Sequence, residues 1–138
     1  MADTGYKWDD AHSAFQKGAG NWTADAIADA ATEAGDGLDC DEKAAVEITV
    51  TAAEDNTGAI DGDVTVSVLR DVDGTNYETV SMASYAANFR PVQNSTVYWS
   101  IVLSCAQWSK FNLSIENQSG QEIALTVKYK FATVAVED

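Results

Sequence analysis

From residue 44 onward the chain alternates. Val46, Ile48 and Val50 take every second position, with Glu47, Thr49 and Thr51 between them. A period of two sends successive side chains to opposite faces of an extended backbone, which marks a half-buried strand and excludes a helix there. The same pattern returns in Val64, Val66 and Val68, which face one way while Thr65, Ser67 and Leu69 face the other. These two runs read as an antiparallel pair joined by the turn-rich loop from Glu54 to Gly62. Asp71-Val72-Asp73-Gly74-Thr75-Asn76 supplies tight-turn chemistry, because Asp, Asn and Gly cap or adopt left-handed backbone. A short strand from Tyr77 to Met82 is expected to complete that hairpin.

Residues 83–96 are less regular and hold the only proline, Pro91. Further strands are expected over Val97 to Ser104 and Lys110 to Glu116, the second ending in the turn Asn117-Gln118-Ser119-Gly120. The last run starts at Ile123 and places Leu125, Val127, Tyr129 and Phe131 on one face. About six strands at short spacing, with no helical pattern between them, predict an all-β fold: a single antiparallel β-sandwich or jelly-roll-like domain over 44–138.

Residues 1–43 are harder to place and read as an irregular, acidic N-terminal arm. Thr23 to Glu33 is Ala-rich, with Thr23 or Asp25 as N-cap, which suggests a short helix. Its apolar face is mostly Ala plus Ile27, so it would bury little. Tyr6, Trp8, Phe15 and Trp22 are nonetheless too apolar for an ordinary tail. The arm is expected to wrap its own sandwich or a neighbouring subunit; a first strand with loops on the same sandwich is the equal alternative.

The 138 residues, 46% of them hydrophobic, fill one domain with one core. Lys and Arg total 8 against 22 Asp and Glu, a net charge of -14. Such a surface repels phosphate backbones and anionic lipid, which disfavours nucleic-acid and membrane-surface roles. The acid is concentrated early: residues 1–63 hold 15 carboxylates against 3 lysines, a net of -12, and residues 64–138 only -2. No apolar run approaches the ~20 residues of a spanning helix. The N-terminus lacks a basic start followed by an apolar stretch, so synthesis in a cytoplasm is the expectation. In that compartment Cys40 and Cys105 read as buried or incidental thiols rather than a bridge. The four Asn-x-Ser/Thr sequons, at Asn21, Asn94, Asn112 and Asn117, then carry little meaning.

Chemistry-bearing motifs are sparse. The single histidine, His12, stands in the irregular region, and no serine occupies a Gly-x-Ser-x-Gly elbow. A zinc site needs several His or Cys ligands, and the chain has three such residues. No glycine-rich loop has nucleotide-cradle spacing, and nothing nominates one carboxylate pair among 22 for glycoside hydrolysis. The expectation is therefore a non-enzyme with no cofactor and no resident metal. Asp71-x-Asp73-Gly74-x-Asn76, and Asp55-Asn56 with Asp61 and Asp63, offer oxygen ligands for calcium, but neither matches the twelve-residue calcium loop and turn chemistry is favoured. Of the four tryptophans, Trp99 reads as core. Trp108, between two strands, reads as an exposed contact for a glycan or a protein.

Two segments belong together: Val64-Thr65-Val66-Ser67-Val68-Leu69-Arg70-Asp71-Val72-Asp73-Gly74-Thr75-Asn76-Tyr77-Glu78, and Lys110-Phe111-Asn112-Leu113-Ser114-Ile115-Glu116-Asn117-Gln118-Ser119-Gly120-Gln121. An apolar strand running into Asp-Gly-Thr-Asn-Tyr-Glu, followed by Lys-Phe-x-Leu-x-x-x-Asn-Gln-Ser-Gly, resembles small β-sandwich virion proteins of tailed bacteriophages over roughly residues 46–131. The resemblance implies a capsid decoration, or cement, protein on the outside of the head. Its partner would be the major capsid protein, and it would sit there as a small homo-oligomer, often a trimer. Another virion position (tail tube, neck or head fibre) and a carbohydrate-binding module are the competing readings. The interface candidates are Tyr6, Trp8, Phe15, Trp22 and Trp108. If the arm makes the contact, deleting residues 1–22 should weaken incorporation more than it weakens the sandwich.

Overall fold

The alternation along Val46, Ile48 and Val50 continues to Glu54, and the computed structural model builds it into one ten-residue strand. The structure describes residues 4–18, 20–54 and 58–136. They form thirteen strands in two antiparallel sheets and one small hairpin. In the larger sheet the order is β1 (Thr4–Trp8), β13 (Ile123–Val136), β8 (Ala45–Glu54), β11 (Ser95–Ser104), and β2 (Ser13–Ala14) and β5 (Asp25–Ile27) also pair with β13. In the smaller it is β10 (Tyr85–Phe89), β9 (Val64–Arg70), β12 (Lys110–Asn117), β6 (Thr32–Ala34), with β7 (Leu38–Asp39) also on β12. β3 (Gln16–Lys17) and β4 (Gly20–Asn21) make the hairpin. The expected all-β sandwich is what forms.

The core lies between the sheets. Val46, Ile48, Val50 and Ala52 from β8 and Ile123, Leu125 and Val127 from β13 are fully buried, as are Val64, Val66 and Val68 from β9 and Phe111, Leu113 and Ile115 from β12. Period-two patterning on both sheets thus converges on one apolar layer, the main source of stability in such an architecture.

Three local expectations give way. The runs at 46–50 and 64–68 are not partners: β8 spends both edges on β13 and β11, and β9 spends both on β12 and β10, so the chain changes sheets between them. The segment Tyr77–Met82 is not a strand. The turn at Asp71–Asn76 forms, with Val72 N–H donating to Asn76 O at 2.9 Å, but pairing stops at one bridge, Asp71 with Tyr77. Beyond it the Glu78 carboxylate accepts from Arg70 N–H (2.7 Å) and from the Ser84 hydroxyl (2.6 Å). These bonds hold a 3-10 turn at Val80–Met82 and leave Tyr85–Phe89 to take the free edge of β9.

The third correction concerns Thr23 to Glu33, which contains no helix. Ala24 and Ala30 take left-handed backbone (φ 48° and 66°), and the pieces between and beyond them become β5 and β6. An alanine helix would bury little here, whereas β5 pairs Ile27 with Ile123 and sinks it into the core. The described part of residues 4–43 accordingly packs on the chain's own sandwich. β1, β2 and β5 join the larger sheet, β6 and β7 the smaller. Phe15 and Trp22 are fully buried within the chain's own core. One glycine there is required by geometry: Gly37 has φ +100°, and the Tyr77 hydroxyl occupies the place a Cβ would need.

Candidate interaction surface

The five residues singled out for a partner contact separate sharply. Phe15 and Trp22 are core, their rings meeting edge-on at 6.4 Å, with Phe15 also edge-on to Tyr129 at 6.1 Å. Trp108 is 7% exposed, edge-on to Phe111 at 6.4 Å, with the Arg70 guanidinium 4.5 Å from its ring centre. The expected exposed contact at Trp108 therefore fails: the loop after β11 folds back, Trp108 N–H donating to Ser104 O at 2.9 Å, and tucks the indole inward. Tyr6 and Trp8 remain at the surface. Tyr6 is 58% exposed and Trp8 half-buried, and the rings stand perpendicular at 6.3 Å. The Lys130 ammonium lies 5.7 Å from the Trp8 ring, a cation-π distance. Lys7, Trp8, Asp9, Asp10 and Thr133 line a shallow cleft of about 300 Å³ beside them.

A second surface escaped sequence reasoning. From Thr79 to Ser109, 31 residues carry a single charge, Arg90, in a chain of net charge -14. Six large apolar side chains of this stretch stand exposed: Val80, Met82, Tyr85, Val92, Tyr98 and Val102, with Met82 at 75% and Tyr98 at 76%. The stretch contains β10 and β11, the terminal strands of the two sheets. Phe89 on β10 stacks on Trp99 on β11 at 6.3 Å, so both edges lie on one flank of the sandwich. The missing charge was the available signal, and patterning arguments that follow only apolar periodicity pass over it.

The polar clusters are largely structural. In the Asp71–Asn76 turn, Asp71 Oδ1 accepts from the N–H groups of Asp73 (3.1 Å) and Gly74 (2.7 Å), and Asp73 Oδ1 from those of Thr75 (2.9 Å) and Asn76 (2.7 Å). These carboxylates are engaged as Asx turns, as turn chemistry predicts. The other proposed calcium loop includes Asp55 and Asn56, which lie outside the described residues. Among the described residues no group of three or more His, Cys, Asp or Glu converges on one point. His12 meets Glu47 at 2.8 Å on the sandwich exterior.

Two clusters join the sheets. Lys17 on the hairpin reaches Asp25 Oδ2 on β5 (3.0 Å) and Glu33 Oε2 on β6 (3.4 Å), bridging the larger sheet to the smaller. The hydrogen bond shared with Glu33, more than the lysine, holds the Asp25 carboxyl below its usual range, while burial and then Asp25 raise Glu33. Elsewhere, Cys40 and Cys105 are both free and buried. Cys40 Sγ donates to Trp108 O at 2.7 Å. Burial pushes both thiols up, away from the reactive thiolate.

No protein-family model matches the chain, and no curated protein sequence is significantly similar to it.

Proposed function

We propose that this protein is a non-enzymatic structural component of a tailed-phage virion, most simply a decoration protein bound to the outer face of the major capsid protein lattice. One observation carries the reading. The two segments that resemble phage virion proteins are neighbours, β9 and β12, in register from Phe111–Arg70 to Asn117–Val64. The resemblance therefore covers one folded unit, the centre of the smaller sheet, rather than two unrelated turns.

The mechanism is additive binding. A folded acidic body keeps the outward side solvated, and the Tyr6–Trp8 pair with Lys130 offers an aromatic patch to the lattice. Each copy contributes a modest interface, and symmetry repeats it over the shell. Electron cryo-microscopy of the parent particle tests this directly. Density for this sandwich at regular points on the outer capsid, with Tyr6 and Trp8 against the shell, is the expected result. Density confined to the tail, neck or fibres would keep the virion role and remove decoration. Absence from the particle would overturn both.

A further inference from the structure

β11 is a ten-residue strand with one free edge: among the described residues it pairs only with β8. Exposed strand edges template pairing with other chains, and proteins that remain monomeric usually blunt them with charge, proline or a bulge. From Ser95 to Ser104 there is no charged residue and no proline. β1, at the opposite edge of the same sheet, is five residues long and carries Lys7. The sequence around Ser100 is also a chemical palindrome. Thr96 and Ser104 are polar, Val97 and Leu103 aliphatic, Trp99 and Ile101 large and apolar, with Tyr98 and Val102 in the remaining matched places.

The geometry points to a second copy of this chain as the occupant of that edge, in an antiparallel β11–β11 pair with its two-fold axis at Ser100. Side chains directly opposite in an antiparallel pair share a face, so a register that preserves both faces must match inward with inward. Val97, Trp99, Ile101 and Leu103 face the core and are half-buried or buried, whereas Tyr98, Ser100 and Val102 face out and are exposed. Centring on Ser100 satisfies this over residues 96–104 and opposes Tyr98 to Val102 and Trp99 to Ile101 of the second copy. Aromatic and β-branched residues are the favoured cross-strand partners. The arrangement is isologous, as a two-fold dimer demands. The charge pattern selects this occupant too. Two copies of net charge -14 repel wherever acidic surfaces meet, and the Thr79–Ser109 stretch lets them approach across residues whose one charge, Arg90, is paired with Asp63 at 3.0 Å. β10 lies on the same flank, so Met82, Tyr85 and Val92 add apolar area around the axis. The inference concerns the free protein and stands or falls independently of any role on a particle.

Sedimentation equilibrium of the full chain should give twice the 14.7 kDa of one chain. In Ser100→Cys, the new thiols face each other across the axis. Diamide, taking up the two protons and two electrons, should join them into a disulfide-linked dimer. Lys7→Cys at the far edge should stay uncrosslinked, as should the wild type with its two buried thiols. A wild-type monomer at all concentrations would leave the edge to another protein's strand and overturn the proposal. So would a dimer in which folded Ser100→Cys fails to crosslink. Should that variant not fold, amide hydrogen exchange on the wild type decides: protection along β11 must rise with protein concentration, and a constant value rejects the pairing.

Discussion

Phe89 and Trp99 stack with ring centres 6.3 Å apart and planes 17° from parallel, a side-by-side aromatic contact that joins an edge strand of one sheet to an edge strand of the other. Both rings are half-buried and pack against the core. Truncating either to alanine should cost roughly 1–3 kcal/mol, and the double variant should fall short of the sum by roughly 0.5–1.5 kcal/mol, the coupling typical of aromatic pairs. A urea-denaturation double-mutant cycle measures that coupling directly. Strict additivity would mean the stack contributes nothing beyond burial.

Because Phe15 and Trp22 are core residues, the N-terminal region cannot be removed without damage. Deletion of residues 1–22 should therefore destabilise the sandwich itself, in addition to any loss of incorporation. Phe15→Ala and Trp22→Ala should each cost about 3–5 kcal/mol, while Tyr6→Ala at the surface should stay within ~0.5 kcal/mol. Trp22→Phe should be milder than Trp22→Ala, since the indole Nε1 is buried without a hydrogen-bond partner. Equal stability losses at Tyr6 and Trp22 in chemical denaturation would contradict this division.

The Lys17–Asp25–Glu33 clamp makes opposing demands on pH. Raised Glu33 contributes stability below its unfolded value, lost as pH climbs through its folded one. Lowered Asp25 contributes above its unfolded value and loses that as pH falls. Lys17, raised chiefly by its hydrogen bond to Asp25, holds its contribution until alkaline pH. Glu33→Gln, which fixes the neutral form, should be at least as stable as wild type at pH 7, by up to roughly 1 kcal/mol for so partly exposed a group, with the difference closing toward pH 4. Lys17→Met should destabilise at pH 7 and less so in acid. Melting temperatures across pH 4–8 separate these signs, and a pH-independent offset in both variants would refute the clamp.

The Glu78 carboxylate is held below its usual range, first by the Ser84 hydroxyl and then by the Arg70 N–H. A lowered carboxylate contributes above its unfolded value, about 4.3, and the contribution disappears as pH falls through the folded one. Glu78→Gln should therefore lose stability at neutral pH, by less than about 1 kcal/mol given its exposure, and match wild type in acid. Hydrogen exchange of the Arg70 and Ser84 amides would report the same loss locally; unchanged protection at neutral pH would rule it out.

Cys40 and Cys105 share the core with raised thiols, so iodoacetamide at pH 8 should label neither in the native protein and both after unfolding in urea. Rapid native labelling would mean that the loops carrying them open readily.

Period two was enough to place the five longest strands. Val46–Val50, Val64–Leu69, Val97–Ser104, Lys110–Glu116 and Ile123–Phe131 all became strands, and the turns at Asp71–Asn76 and Asn117–Gly120 followed from residues that cap or tolerate left-handed backbone. Alternation says which face of a strand is buried but not which strand lies beside it. The partnership of β8 with β11 and β13, and the transfer of β9 to the other sheet, were consequently decided by packing. The N-terminal region was illegible for the same reason. Segments of two to five residues are too short to show a period, and apart from the β3–β4 hairpin they become strands only because β13 and β12 offer free edges. Trp22 and Trp108 carry no local mark distinguishing a core indole from a surface one; only the folded chain, by closing around them, made that choice.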